Sequence, residues 1–287
     1  MRAAIILCAG LGTRLRPLSD WAAKPIVPVG DRAQAGHVAA RLRAAGIARI
    51  AVNVHHRPED LRGWAEAEEI LVSHEPELLG TAGGITQAWP LVGDEDVVVW
   101  NGDIACDLDV AALVAAHERA GAAATLAVVV HDRPGAGKVG LDPEGRVVRL
   151  RERAFGEEAR GADFIGIRVL GRELAPRFPA RGCFVEDVLV PALERGEPVV
   201  SHAVTTPWVD IGSLEGYLAA NRAWLGERPS WAAPDARVEA RIDGSVVGAG
   251  AIVEAAAQGS VVWPGARVTT PVARAVVTPF GTVTLGA

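Results

Sequence analysis

The chain has 287 residues, 49% of them hydrophobic, and a formal net charge of −6. That apolar content is enough for a substantial core and excludes a disordered chain. The acidic balance and the lack of any basic run argue against a nucleic-acid partner, and no window approaches the ~18 apolar residues that a membrane span requires.

Apolar runs at about 3–9, 48–54, 69–73, 96–101 and 123–130 are short, rich in Val and Ile, and bounded by turn residues. Such runs predict buried strands. Helical patterns fall between them, at roughly 33–45, 58–67, 82–89 and 109–120. The alternation predicts an α/β fold with a doubly wound, mostly parallel sheet, whose ligands sit at the carboxyl ends of the strands. From about 137 the pattern turns strand-rich (137–141, 146–151, 162–169), as expected of an insertion, and a helix at 213–225 closes the domain. After Glu227-Arg228-Pro229 the character changes: aliphatic residues recur six apart in Val246/Ile252, Val262/Val268 and Val277/Val283, amid Gly, Ala and Pro. This hexapeptide pattern predicts a small parallel β-helix of about three coils. The expected domains are therefore 1–227 and 228–287.

The short apolar stretch ahead of Gly10 does not make a signal peptide, so a cytoplasmic protein without a membrane partner is expected. Cys8, Cys106 and Cys183 are odd in number and form no Cys-x-x-Cys pair. Buried thiols are expected, without disulfide or zinc.

The most informative segment runs from Ile5 to Leu18 and ends in Lys24-Pro25. A strand leads into the glycine turn Gly10-Leu11-Gly12, where backbone N–H groups can approach a phosphate, and two cations, Arg14 and Lys24, follow. The segment is neither a Walker A loop nor a full dinucleotide fingerprint, because it lacks Gly-Lys-Ser/Thr and position 15 is Leu. The chain holds 27 Arg and only two Lys, Lys24 and Lys138. A compact ammonium kept at Lys24, where Arg serves almost everywhere else, points to a chemical task. Asp103 closes the apolar run Val97–Trp100 and places a hard carboxylate, suited to Mg²⁺, at the mouth of the crevice.

These residues resemble the signature of the sugar-phosphate nucleotidyltransferases, Gly-x-Gly-Thr-Arg-Leu-x-Pro-Leu followed by Lys-Pro. The similarity continues at Ser73–Gly83, Asn101-Gly102-Asp103, Arg151-Glu152-Arg153 and Trp208–Gly212, in the family's order, across residues 1 to about 225. The resemblance implies a Rossmann-like nucleotidyltransferase domain that joins an NTP to a sugar 1-phosphate. It assigns catalysis to Arg14 and Lys24, and nucleotide binding to Leu7, Ala9, Gly10, Gly12, Thr13, Glu75, Gly80 and Thr81. Gly137, Glu152 and Arg153 would hold the sugar phosphate, and Asp103 with Asp210 would hold Mg²⁺. The chemistry needs no protein nucleophile, because the sugar phosphate oxygen is already anionic and pyrophosphate leaves readily.

Ser-His-Glu-x-Glu-x-Leu-Gly-Thr-Ala-Gly most resembles mannose-1-phosphate guanylyltransferases. Glu75, where uridylyl and thymidylyl relatives often carry Gln, would then accept hydrogen bonds from guanine. A uridylyltransferase of the N-acetylmuramate-1-phosphate type, which Phe164–Ile167 resembles, is the alternative, and a non-catalytic regulatory subunit is a second. Two departures bear on the sugar: Glu152-Arg153-Ala154 replaces the usual Glu-Lys-Pro, and Phe164-Ile165-Gly166 replaces Asn-Ala-Gly. The C-terminal segment resembles the left-handed β-helix of many such enzymes. It has no His for acyl transfer, so a homo-oligomer contact or packing role is expected of it.

Overall fold

The computed structural model describes residues 3–285. The chain packs as two compact units, one formed by residues 1–10 and 38–206, the other by residues 11–37 and 207–287.

The first unit is built on a ten-stranded sheet. Its elements are β1 (Ala3–Leu7), α1 (Gln34–Ala44, within which the unit begins), β2 (Arg49–Val54), α2 (Pro58–Ala67), β3 (Leu71–His74), α3 (Gly80–Val92), β4 (Val97–Asn101), α4 (Val110–Ala120) and β5 (Ala124–His131). There follow β6 (Val139–Leu141), β7 (Val147–Leu150), β8 (Arg153–Ala154), β9 (Arg160–Leu170), α5 (Val190–Glu194) and β10 (Val199–Ala203). The strand order is β8-β7-β6-β9-β4-β1-β2-β3, with β5 joined to β9 and β10 to β5. Strands β1 to β4 pair in parallel, whereas β9 runs antiparallel to β4, β5 and β6. The doubly wound half thus ends at β4, and the strand-rich insertion forms a mixed wing beyond it.

Strands β1 and β4 are buried on both faces, as their unbroken aliphatic runs require. Helix α3 packs on β1 and β2 through Ala82, Ile85, Ala88, Trp89 and Val92, all buried at helical spacing. Burying a side chain the size of Ile85 contributes about 1.5–3 kcal/mol. Asp109 caps α4 by accepting from Ala112 N–H at 2.9 Å. A π-helical turn, Phe184–Leu189, precedes α5 and has no counterpart in the predicted elements. Cys8 and Cys106 are buried and Cys183 is half-buried, so one of the three thiols departs from expectation; no disulfide joins them.

The second unit joins the signature loop to the C-terminal end of the chain. It contains 3-10 turns at Thr13–Leu15 and Lys24–Ile26, strand β11 (Trp208–Asp210), helix α6 (Leu214–Leu225) and a stack of short strands from Trp231 onward. Ser213 caps α6 through Gly216 N–H. Trp231, Val246, Val261 and Val276 pair in parallel along one side, Arg237, Ile252 and Arg267 along a second, and Ile242, Ala257 and Val272 along a third. These registers define a parallel β-helix of three turns. They also correct the hexapeptide reading: successive sides begin six, five and four residues apart, so one coil takes 15 residues. Within a coil the six-residue spacing belongs to the first side alone, and Val277 and Val283 lie on two antiparallel strands instead, which is why the pattern loses register along the sequence.

Buried Ser245 and Ser260 mark one corner at the coil period. Ser245 Oγ accepts from Ser260 N–H at 3.0 Å, and Ser260 Oγ accepts from Ala275 N–H at 3.1 Å. The ladder supplies acceptors for amides that the corner would otherwise bury unpaired.

Candidate functional site

In the first unit, the parallel strands bring one group of the expected residues to a common edge. Leu7, at the end of β1, pairs in register with Asn53 of β2 on one side and Asn101 of β4 on the other. Ala9 and Gly10 therefore leave the sheet beside Gly102 and Asp103, and Gly102 N–H donates to the Leu7 carbonyl at 2.9 Å. Asp103 is half-buried at that mouth.

Gly80 and Thr81 open α3 and are both exposed. Gly80 has φ +74°, and a Cβ there would lie 2.4 Å from the Gly182 carbonyl oxygen, so the turn accepts only glycine without strain. The helix start is tied to the segment before the π turn: Ala82 N–H donates to the Gly182 carbonyl, and Thr81 Oγ1 accepts from Phe184 N–H at 2.9 Å. Thr81 does not cap α3, since its hydroxyl is turned to Phe184.

Glu75, expected at the base, lies inside the first unit. It is 1% exposed, one carboxylate oxygen accepts from Asn53 Nδ2 at 2.7 Å, and the other accepts from Leu79 N–H at 3.0 Å. The carboxylate is thus held inside the protein by one donor on each oxygen. Asn53 was not among the expected site residues, although a lone amide inside the apolar run Ile50–Val54 is a signal visible in the sequence.

The sugar-side residues lie on the antiparallel wing. Gly137 bridges to Ala162, and Arg151 N–H donates to the Lys138 carbonyl at 2.7 Å, which brings the turn after β7 against residues 137–138. Glu152 and Arg153 are exposed there. Arg153 Nη2 stands 3.7 Å from Glu186 Oε2, while Arg151 Nη1 donates to Glu186 Oε1 at 2.6 Å. Glu186, unmarked in the sequence, therefore faces both guanidinium groups.

Buried Arg168, on β9, is a further unexpected feature. Its Nη1 donates to Asn101 Oδ1 at 2.8 Å, its guanidinium lies 4.6 Å from the Phe184 ring centroid, and Nε and Nη2 have no hydrogen-bond partner among the described residues. Complete burial lowers its pKa to about 9.

In the second unit, Gly12, Thr13, Arg14, Lys24 and Asp210 come together. Buried Ser19 donates through Oγ to the Gly12 carbonyl at 2.8 Å, which fixes the turn ahead of the Thr13–Leu15 helix. Lys24 is half-buried at the start of its own 3-10 turn, whereas Thr13 and Arg14 are exposed. Asp210 Oδ1 accepts from Gly212 N–H at 2.7 Å, and Oδ2 accepts from Arg14 Nη2 at 3.2 Å. The pair is largely solvated, with side chains 69% and 39% exposed, so its net contribution to stability is about 0–1 kcal/mol. It keeps Arg14 oriented while leaving most of its donors available.

Asp103 and Asp210 offer hard oxygen donors, the chemistry Mg²⁺ prefers. Among the described residues no group of three or more His, Cys, Asp or Glu could cage a metal alone. Mg²⁺ typically takes one or two carboxylates and completes its shell with substrate phosphates and water. Either carboxylate, taken by itself, suits a metal of that kind.

The nucleotidyl transferase family model matches residues 3–227. The chain is 30% identical over 233 residues to a mannose-1-phosphate guanyltransferase of Emericella nidulans, covering 77% of this chain and 64% of that protein. It is 31% identical over 262 residues to the mannose-1-phosphate guanylyltransferase of Mycobacterium tuberculosis, covering 87% and 72%. The chain thus spans somewhat less than two thirds of the length of the Emericella relative. The fold is similar to that of HddC from Yersinia pseudotuberculosis, whose crystal structure is complexed with GMP-PN, with a TM-score of 0.65 and 22% identity over 78% of this chain and 100% of that one. No helix among the described residues is long and apolar enough to cross a membrane. The match over residues 3–227 places the chain in the nucleotidyl transferase family.

Proposed function

We propose that the chain transfers a guanylyl group from GTP to mannose 1-phosphate, giving GDP-mannose and pyrophosphate. The observation that carries this reading is the similarity to mannose-1-phosphate guanylyltransferases, which extends over 77–87% of the chain. In this reading residues 1–227 carry the reaction and residues 228–287 serve packing or assembly in a cytoplasmic enzyme.

One bond forms, from a sugar phosphate oxygen to the α-phosphorus, and one breaks, between the α-phosphorus and the bridging oxygen to the β-phosphate. No proton needs to move, so the protein's task is to align two polyanions and neutralise them. The backbone at Leu7, Ala9 and Gly10, with Gly80 and Thr81, receives the nucleoside. Gly12, Thr13, Arg14 and Lys24 take the triphosphate: Arg14 as an oriented fork held by Asp210, Lys24 as a point charge on the leaving pyrophosphate. Asp103 and Asp210 would hold Mg²⁺, which supplies charge neutralisation across the phosphates when bound. Gly137, Glu152 and Arg153 receive the sugar phosphate, with Arg153 exchanging Glu186 for the phosphate.

Pyrophosphate release measured across GTP, UTP and dTTP, each with mannose, glucose and N-acetylmuramate 1-phosphates, tests this reading. Turnover highest with GTP and mannose 1-phosphate is the expected result. A preference for UTP with N-acetylmuramate 1-phosphate would replace it by the uridylyl alternative, to which Phe164 in place of an amide lends support. No turnover with any pair would leave the non-catalytic reading.

A further inference from the structure

A buried polar chain crosses the first unit beneath the two turns assigned to the nucleotide. Cys8 N–H, the first amide after β1, donates to Asn53 Oδ1 at 2.6 Å. Asn53 Nδ2 donates to Glu75 Oε1 at 2.7 Å, and Glu75 Oε2 accepts from Leu79 N–H, the amide just before Gly80, at 3.0 Å. Asn53 is 3% exposed and Glu75 1%. Glu75 is further pinned by its own backbone, whose N–H donates to the Val54 carbonyl at 2.8 Å and whose carbonyl meets His55 Nδ1 at 2.9 Å. Both partners of its carboxylate are neutral amides. Helix α3 makes room for the pair at Gly84, where a Cβ would lie 2.5 Å from Asn53 Nδ2 and 2.7 Å from Glu75 Oε1.

Burying an amide against a carboxylate carries a desolvation cost that an apolar pair would avoid. What the arrangement gives in return is direction. Each donor meets one acceptor in a fixed sequence, so the spacing between the Cys8 turn and the Leu79 turn is set by two side chains held by burial and by their hydrogen bonds. The geometry points to Asn53 and Glu75 as positioning residues that hold the two nucleotide turns at a fixed separation and so set affinity for the NTP whatever its base. This inference rests on the proposed nucleotidyl transfer, and it replaces the base-reading role expected of Glu75.

The donor pattern gives a specific test. In Glu75→Gln the new amide has one acceptor oxygen for two donors, Asn53 Nδ2 and Leu79 N–H, so one donor faces another. In Asn53→Asp two carboxylates face each other. In the double variant Asn53→Asp/Glu75→Gln, the carboxylate introduced on β2 would accept from Cys8 N–H and from the amide introduced after β3. The oxygen of that amide would in turn accept from Leu79 N–H. The pattern and net charge of the native chain are then restored with the carboxylate moved by one link.

Binding of GTP and UTP by titration calorimetry, and amide exchange at Cys8 and Leu79 by NMR, are measured on all four full-length proteins alongside their melting temperatures. Each single variant is expected to weaken both nucleotides by about tenfold, with the GTP:UTP ratio unchanged and faster exchange at both amides. The double variant is expected to return within about threefold of the native affinity, with exchange slowed again. A GTP:UTP ratio that shifts in Glu75→Gln and stays shifted in the double variant would overturn the inference in favour of base reading. Lower melting temperatures with unchanged nucleotide affinity, or a double variant no better than the singles, would overturn it as well. A native chain that bound neither nucleotide would sink the guanylyl-transfer reading, while the exchange rates at Cys8 and Leu79 would still decide the relay.

Discussion

Trp263 of the β-helix and Tyr217 of α6 share a buried hydrogen bond: the indole Nε1–H donates to the phenolic oxygen at 2.9 Å. The same hydroxyl donates to the Pro28 carbonyl, four residues past Lys24. Desolvation pushes the Tyr217 pKa well above the ordinary phenol value, and the bond from Trp263 offsets only part of that, so the hydroxyl stays protonated. The β-helix is thereby bonded to the loop that carries a signature cation.

Tyr217→Phe removes the shared hydroxyl and leaves both the Trp263 N–H and the Pro28 carbonyl without this partner. A loss of about 1–3 kcal/mol is expected, and Trp263→Phe in the same background should add less than it does alone, because the bond is already gone. Urea denaturation of the two single variants and the double variant measures the coupling. Additive losses would show that the two groups act independently.

Lys24→Arg is expected to lose nearly as much turnover as Lys24→Ala, on the order of 10²-fold, because a planar fork cannot occupy the place of a half-buried ammonium. Steady-state pyrophosphate release decides the point, and an active Arg variant would reduce Lys24 to a generic cation. Asp210→Asn should keep the Gly212 bond yet lose the charge that orients Arg14. Its turnover should fall by about 10²-fold or more while its melting temperature changes little.

Gly30→Ala should be among the most destabilising small substitutions in the second unit. Gly30 has φ +63°, and a Cβ there would fall 2.1 Å from the Trp224 ring, which meets Trp231 edge-on at 5.2 Å. Strain and displacement of the indole together are expected to cost about 2–4 kcal/mol. A melting temperature within a degree or so of the native value would show that Trp224 can move aside.

Arg168 gives a pH dependence opposite to that of a salt-bridged cation. Burial lowers its pKa to about 9 in the folded chain, below the ordinary guanidinium value. Between those values the unfolded chain binds more protons, so stability contributed by this site rises as pH climbs upward from about 9. Arg168→Met removes the titration and two unpartnered nitrogens, and should be neutral or stabilising by about 1–4 kcal/mol near pH 7. The difference in unfolding free energy between native and Arg168→Met proteins should therefore narrow from about pH 8 to about pH 10. A constant difference would mean that Arg168 stays fully charged throughout.

The parallel half of the fold was legible because buried strands and amphipathic helices leave periodic apolar runs, and the glycine turn with its cations is a local pattern. The strands of the mixed wing were legible too, but not their direction, since an antiparallel strand such as Arg160–Leu170 has the same apolar spacing as a parallel one. Glu75 shows the limit at a site. An acid just after a strand looks the same in sequence whether it meets a ligand or two buried donors, and only the position of Asn53 and Leu79 tells them apart. The coil length was present in the sequence, in Ser230, Ser245 and Ser260 at intervals of fifteen. It was masked by aliphatic pairs six apart, two of which reflect one side of the coil while Val277 and Val283 belong to a terminal hairpin.

A fifteen-residue coil with sides of unequal length also restricts how this C-terminal arm can grow or shrink. Insertion of five or six residues would rotate every later strand onto the wrong side and strand a serine away from its amide. Duplication or loss of a whole coil would keep all three ladders and the serine corner in step. Length in this arm is therefore quantised, and the turn that carries Trp263 cannot be shifted along the stack without parting from Tyr217.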